Sequence, residues 1–89
     1  MAAMNTKHLQ QFGSHIRALR QSQNLSQEEL AEKANMHRTY IGMIERGERN
    51  PALLNLIRLA QALDVSLPDL VNFLYEENHE SSQENHESN

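Results

Sequence analysis

Four residues near the middle of the chain, Arg38, Thr39, Gly42 and Met43, lie close together at the start of a predicted helix. Arginine can donate two parallel hydrogen bonds to guanine O6 and N7, and threonine can donate to a base or place its methyl group against thymine. Gly42 permits a close approach, and Met43 offers an apolar contact. With His37 just before them, these residue types predict a surface that contacts the edges of base pairs.

Sequence patterns typical of catalysis do not occur. The 89 residues include no cysteine, which excludes disulfides, thiolate metal sites and cysteine nucleophiles. There is no His–Ser–Asp spacing and no glycine-rich phosphate loop. His79 and His86 could bind a metal weakly, but a solvated acidic tail is the simpler interpretation. We therefore expect no enzymatic activity and no cofactor.

The elements that must position these residues are helices, because no strand-like alternation of apolar residues appears. Leu9, Phe12, Ile16 and Leu19 recur at spacings of three and four, which predicts a helix over residues 6–23. Two short helices are predicted over residues 27–34 and 38–46. A fourth helix is predicted by the apolar stripe of Leu53, Leu56, Ile57, Ala60 and Leu63. A fifth is predicted by the stripe of Leu67, Leu70, Val71 and Leu74.

Caps and turn residues set the predicted helix boundaries. Ser26 and Glu29 have the spacing of a capping box, and Ser66 is placed to cap the fifth helix. Asn35 stands where a tight turn requires a positive φ, which asparagine adopts at modest cost. Gly47 is predicted to end the third helix as its C-cap. Ala52, a poor capping residue, precedes the fourth helix.

The charge is unevenly distributed along the chain. Residues 76–89 contain five of the twelve acidic residues and no basic one, so residues 1–75 carry eight positive and seven negative charges, a net +1. The repeated sequence ENHES lacks any apolar residue, which predicts disorder for 76–89. We expect a flexible N-terminus over 1–5 and a folded domain over 6–75. No apolar run suits a signal peptide or a membrane span, so we expect a cytoplasmic protein without membrane contacts.

The two short helices and the tight turn between them describe a helix-turn-helix motif. In this motif the first turns of the second helix enter the DNA major groove. The motif thus predicts base contacts for the early residues of the helix over 38–46, which are Arg38, Thr39, Gly42 and Met43.

The chain resembles the Cro/lambda-repressor-like helix-turn-helix proteins, also called the xenobiotic-response-element (XRE) family. The resemblance spans residues 9–75 and rests on SQEELAEKANMHRTYIGMIERGERNP, with LIRLAQALDVSLPDL after it. Within the family, RTYI, IER and Arg49-Asn50 look most like the controller proteins of restriction–modification systems. The resemblance implies an all-α, five-helix domain that binds double-stranded operator DNA as a dimer and regulates transcription, including that of its own gene.

Roles for individual residues follow from this resemblance. Arg38, Thr39, Gly42 and Met43 match base-facing positions of the family, although Met43 replaces a commonly polar residue. Arg20 and Glu45 match an ion pair that joins the first helix of the domain to the second helix of the motif, which enters the major groove. His37 replaces the usual Ser, Thr or Asp cap, so it either caps weakly or contacts a phosphate. The remaining expected contacts with the DNA backbone are Gln27, Tyr40, Arg46, Arg49 and Asn50.

Dimerisation is the expected way to read a two-fold operator, with half-sites about 34 Å apart. The fourth and fifth helices contain more apolar residues than one small core needs. The predicted surplus, and hence the predicted dimer interface, is Leu54, Leu67, Phe73 and Leu74. The alternative interpretation is an antitoxin or adapter that uses the same fold to bind another protein, for which the sequence indicates no particular partner.

Overall fold

The computed structural model describes residues 6–73, which form five α-helices and no strand. The predicted all-α fold is thereby confirmed. The predicted flexible segment 1–5 and disordered tail 76–89 lie outside the described residues, as do residues 74 and 75. In chain order the helices are α1 (Thr6–Ser22), α2 (Gln27–Ala34), α3 (Arg38–Glu45), α4 (Leu53–Ala62) and α5 (Leu67–Leu70).

The core is aliphatic and takes side chains from every helix. Each fully buried aliphatic side chain stabilises the fold by about 1.5–3 kcal/mol. One edge of the core is aromatic, since the rings of Phe12 and Phe73 lie 5.6 Å apart between centroids. The largest fully buried side chains are Ile16, Leu30, Ile41, Ile44, Leu59, Leu63 and Leu70.

Four helices end in the same way, with a residue at positive φ. These residues are Asn24, Asn35, Gly47 and Asp64, whose φ values lie between 57° and 78°. In each case the following amide donates to a carbonyl five residues back, as in the Met36 N–H···O=C Ala31 bond of 2.8 Å. This is the Schellman arrangement, which reverses the chain within two residues. The positive φ predicted for Asn35 is confirmed.

The helix starts differ in how well they are capped. Ser26 and Glu29 form the predicted capping box, and the Ser66 hydroxyl accepts from the Asp69 amide at 3.1 Å. His37 and Ala52 occupy the cap positions of α3 and α4, and neither makes a side-chain capping bond within the described part of the chain. The two helices that carry the poorer caps are therefore closed at their starts by backbone bonds and packing.

Three predicted boundaries need correction. Helix α1 ends at Ser22, and α3 ends at Glu45 with Arg46 as its C-cap, so that Gly47 lies one residue beyond the cap. Helix α5 was expected to extend along a stripe to Leu74 but is a single turn. At its C-cap, Val71, the backbone departs from helical geometry, with φ −104° and ψ 18°, and the Val71 side chain is exposed.

Helices α1 and α3 cross at a glycine that the sequence did not identify. A Cβ atom on Gly13 would lie 2.3 Å from the Ile44 carbonyl oxygen and 2.5 Å from that of Glu45. Atoms cannot approach so closely, so only glycine allows the two backbones to meet here. The register of α1 against the end of α3 is fixed by this contact.

None of the helices between residues 6 and 73 is long and apolar enough to cross a membrane.

Replacing Gly13 by alanine should destabilise the domain by about 1–3 kcal/mol, because the added methyl group would force α1 away from α3. Alanine would favour an isolated helix by about 1 kcal/mol, so intrinsic propensity predicts the opposite sign. Urea denaturation measures the free energy of unfolding. Ser14→Ala, on the exposed side of the same helix, is the control and should change this energy by less than about 0.5 kcal/mol. A Gly13→Ala variant as stable as the parent would contradict the close crossing.

Candidate nucleic-acid interface

A buried ion pair joins α1 to the end of α3. The Nε and Nη2 atoms of Arg20 donate to the two carboxylate oxygens of Glu45, at 2.6 and 3.0 Å. Both residues are 8% exposed. The remaining Nη1 of Arg20 donates to the Leu25 carbonyl oxygen, 2.8 Å away in the α1–α2 turn. The pair expected from the resemblance is present, and Arg20 also holds the turn that precedes the helix-turn-helix.

Gln27 extends this network to α2. Its Nε2 donates to Glu45 Oε1 at 3.0 Å, so that one carboxylate oxygen accepts from both Arg20 and Gln27. The position expected to contact a phosphate is thus held by the ion pair. The start of α2 and the end of α3 are fixed relative to each other by the same carboxylate.

The first turn of α3 is exposed on one side and anchored on the other. His37, Arg38 and Thr39 are exposed, whereas Ile41 and Ile44 are buried in the core. This is the presentation that the helix-turn-helix interpretation requires of base-contacting residues.

Arg38 forms an exposed ion pair with Glu28. Its Nη1 lies 3.3 Å from Glu28 Oε2 on α2, and both side chains are more than half exposed. A single long contact between exposed side chains holds little energy, typically below about 1 kcal/mol. The guanidinium can therefore leave Glu28 at small cost.

Gly42 does not offer the open approach expected of it. It is buried, and a Cβ placed there would meet Arg46 Nη1 at 3.1 Å and Gln27 Oε1 at 3.6 Å. The absent side chain makes room for these two polar side chains instead of leaving bare backbone. Met43, one residue on, is half-buried. Base contacts by Gly42 and Met43 stay predictions.

Tyr40 packs against the core of the domain, and its predicted contact with the DNA backbone stays a prediction. Its ring is half-buried against the core, and its hydroxyl oxygen accepts a 3.4 Å hydrogen bond from Asn55 Nδ2 on α4. A hydroxyl in this position can still donate its proton to an acceptor outside the protein.

The loop after α3 contains the other predicted contacts with the DNA backbone. Arg49 and Asn50 are exposed. Arg46 forms a bidentate pair with Glu48, with Nε–Oε2 and Nη2–Oε1 distances of 2.9 and 3.2 Å. The hydrogen bond to Arg46 lowers the pKa of the Glu48 carboxyl and raises that of the guanidinium. The pair therefore stays ionised at neutral pH and is lost only as the pH falls through the depressed pKa of Glu48.

The predicted dimer residues fall into three groups. Leu54 is 59% exposed, in keeping with a surface role. Leu67 and Phe73 are half-buried and pack partly against the chain's own core, and their part in a dimer interface stays a prediction. Leu74 lies outside the described residues. Leu53, which the sequence analysis placed in the apolar stripe of the fourth helix, is instead 62% exposed beside Leu54, because the first turn of α4 faces outward.

Sequence reasoning also missed the carboxylates that face the arginines. Glu28 and Arg38 are ten residues apart, and nothing in the sequence marks them as neighbours before α2 and α3 are packed. Glu48 is two residues after Arg46, a spacing that brings side chains together only when Gly47 reverses the chain. Within residues 6–73 there is no group of three or more potential metal ligands.

Comparison with known proteins finds similar chains among control proteins and other helix-turn-helix transcriptional regulators. A helix-turn-helix family model matches residues 16–70. The control protein C.SmaI of Serratia marcescens is 54% identical over 60 residues, which span 67% of this chain and 71% of that protein. The control protein C.BamHI of Bacillus amyloliquefaciens is 48% identical over 63 residues, spanning 70% and 78%. The crystal structure of the restriction–modification controller protein C.AhdI from Aeromonas hydrophila aligns with a TM-score of 0.69 at 45% identity, covering 70% of this chain and 94% of that chain.

Substituting Glu45 by glutamine should destabilise the domain by about 3–5 kcal/mol, because it leaves the Arg20 charge buried without a counter-ion. The free energy of unfolding in urea is the measurement. Glu32→Gln removes the same charge from an exposed position on α2 and should change stability by less than about 0.5 kcal/mol. A loss below about 1 kcal/mol for Glu45→Gln would mean that the pair does not hold the helices together.

Proposed function

The chain belongs to the helix-turn-helix family, and we propose that it is a sequence-specific DNA-binding transcriptional regulator that acts as a dimer on a two-fold operator. We further propose that it controls its own gene and the genes of a restriction–modification system. The closest support for this second step is the similarity to control proteins C.SmaI and C.BamHI over most of their length. Its place of action would be the cytoplasm, where the operator lies, and the proposal assigns it no catalytic role.

The observation that carries the proposal is the exposed first turn of α3. The last residue of the same helix, Glu45, is held by the buried ion pair with Arg20. Arg38 and Thr39 are exposed at this turn, and Arg38 is restrained only by a single long contact with Glu28. A rigid helix that presents an adaptable guanidinium is suited to bidentate recognition of guanine in the major groove.

Contacts with the DNA backbone would come from residues around this helix. Arg49 and Asn50 are exposed in the following loop, and Gln27 is held at the start of α2 by Glu45. These residues would fix the position of the protein on the duplex, whereas α3 would read its sequence. Tyr40, with its hydroxyl near the surface, and His37 would add phosphate contacts.

Dimerisation is supported by the exposed apolar start of α4. Leu53 and Leu54 are adjacent, and each is more than half exposed. A self-complementary contact through this region would bury both residues in each subunit. The same apolar residues would also fit a different protein, which keeps an antitoxin or adapter as the second candidate.

Selection of the protein's binding sites from a random duplex pool at physiological salt should recover a two-fold symmetric sequence. The variant Arg38→Ala should then bind that sequence more weakly by about 1–3 kcal/mol and accept other bases at one position of each half-site. Arg58→Ala, on α4, is the control and should leave the base preference unchanged.

The variant Arg49→Ala separates backbone contacts from base contacts. It should weaken binding to all sequences alike and flatten the salt dependence by about one unit. If Arg38→Ala behaves in this way instead, Arg38 is a phosphate contact. Failure of the folded protein to enrich any sequence would direct the search to a protein partner.

Replacing Leu54 by glutamate should produce a monomer at concentrations where the parent chain is a dimer, because each interface would then bury two unpaired carboxylates. Sedimentation velocity measures the change. Leu54 is exposed in the single chain, so the variant should remain folded.

The matched control for charge is Gln61→Glu, which adds a carboxylate at an exposed position on the same helix and should stay dimeric. A parent chain that is monomeric well above micromolar concentration would rule out the proposed dimer.

A further inference from the structure

The guanidinium of Arg46 is held against the surface of α3 on two sides. Glu48 occupies its Nε and Nη2 atoms, at 2.9 and 3.2 Å. Its Nη1 lies 3.1 Å from the position that a Cβ on Gly42 would take. The edge of the guanidinium best suited to a bidentate phosphate contact is therefore already filled by a carboxylate.

This pairing is built into the backbone. Gly47, at φ 78°, reverses the chain, and its amide donates to the Ile44 carbonyl oxygen at 3.0 Å. The amide of Glu48 donates to the Met43 carbonyl oxygen at 2.8 Å. Glu48 is thus fixed beside Arg46 by the same hydrogen bonds that end the helix, although both side chains remain more than half exposed.

We propose that Glu48 competes with DNA phosphate for Arg46 and so weakens binding to DNA of arbitrary sequence. The inference rests on the proposed function, because it requires the exposed side of α3 to meet DNA. A carboxylate and a phosphodiester each carry one negative charge, so exchanging one for the other gains little Coulomb energy. While Glu48 is present, Arg46 contributes less than a full charge to sequence-independent binding.

The Glu28–Arg38 pair does not act in the same way. It consists of one contact at 3.3 Å between a Glu28 side chain that is 73% exposed and an Arg38 side chain that is 66% exposed. No backbone turn holds the two residues together, since they lie on different helices. Their separation costs little, which leaves Arg38 available to bases and leaves Glu48 as the carboxylate that limits phosphate binding.

The net charge of this part of the chain is consistent with such a limit. Residues 26–50 contain five glutamates against three arginines and one lysine, a net charge of −1. Sequence-independent binding is driven by the release of counter-ions as phosphates are neutralised, and it scales with the number of available cations. Releasing one arginine therefore changes a large fraction of the available positive charge.

The test is binding of Glu48→Gln to a duplex of random sequence, measured by fluorescence anisotropy over a series of salt concentrations. Affinity at low salt should rise about three- to fivefold, in line with the loss of one exposed ion pair. The slope of log affinity against log salt should steepen by about one unit, since one more phosphate is neutralised. Asp64→Asn is the control, because it removes the same charge from the α4–α5 turn and keeps a residue that tolerates positive φ.

A second pair of variants establishes whether Glu48 acts through Arg46. In the background of Arg46→Gln, the substitution Glu48→Gln should raise affinity no more than Asp64→Asn does. An undiminished increase in that background would overturn the proposal, because Glu48 would then act as a general negative charge. An increase in the normal background no larger than that of the control would overturn it as well.

Thermal unfolding followed by circular dichroism verifies that each variant is folded, and Glu48→Ser replaces Glu48→Gln if that variant is not. Failure of the parent chain to bind any duplex at low salt would remove the proposed function and this inference together. Binding by the parent with an unchanged Glu48 variant would remove this inference alone.

Discussion

The carboxylate of Glu45 is the point at which three helices are held together. It accepts hydrogen bonds from Arg20 on α1 and from Gln27 on α2, and it lies on the last residue of α3. A buried charge is costly unless it is fully paired, so these donors cannot be lost one at a time without a large penalty. The position of the start of α2 relative to the end of α3 is consequently set by the Glu45 side chain, because moving either helix would break one of its hydrogen bonds.

The molecule shows a clear division between rigid and adaptable charges. Arg20 is buried and bidentate, Arg46 is bidentate but exposed, and Arg38 makes a single long contact in solvent. In this order the arginines become easier to separate from their partners. The order also follows their proposed roles, from support of the fold, through contact with the DNA backbone, to contact with bases.

The sequence predicted the elements better than their contacts. The helices α2 and α4, the capping box at Ser26 and the left-handed Asn35 could be inferred because they depend on local periodicity and turn chemistry. The left-handed Asn24 and Asp64 had a comparable signal, an Asn or Asp two residues before a serine cap, and this was overlooked. The close crossing at Gly13 depends on which part of α3 faces α1, and no local pattern contains that information. The same holds for the partial burial of Leu67 and Phe73, which depends on how α5 packs against α4 and how Phe73 meets Phe12 on α1.

The start of α3 has a consequence for motion. His37 provides no side-chain cap for the described α3, whereas Ser26 and Glu29 close the first turn of α2 on both sides. Local opening of a helix end requires least free energy where backbone amides lack such partners. We therefore expect the amide hydrogens of Arg38 and Thr39 to exchange with solvent faster than that of Glu29, which hydrogen-exchange NMR would show. The first turn of α3 would then open more readily than that of α2 while the rest of α3 stays packed, and in the proposed dimer each subunit would adjust separately to half-sites that are not identical.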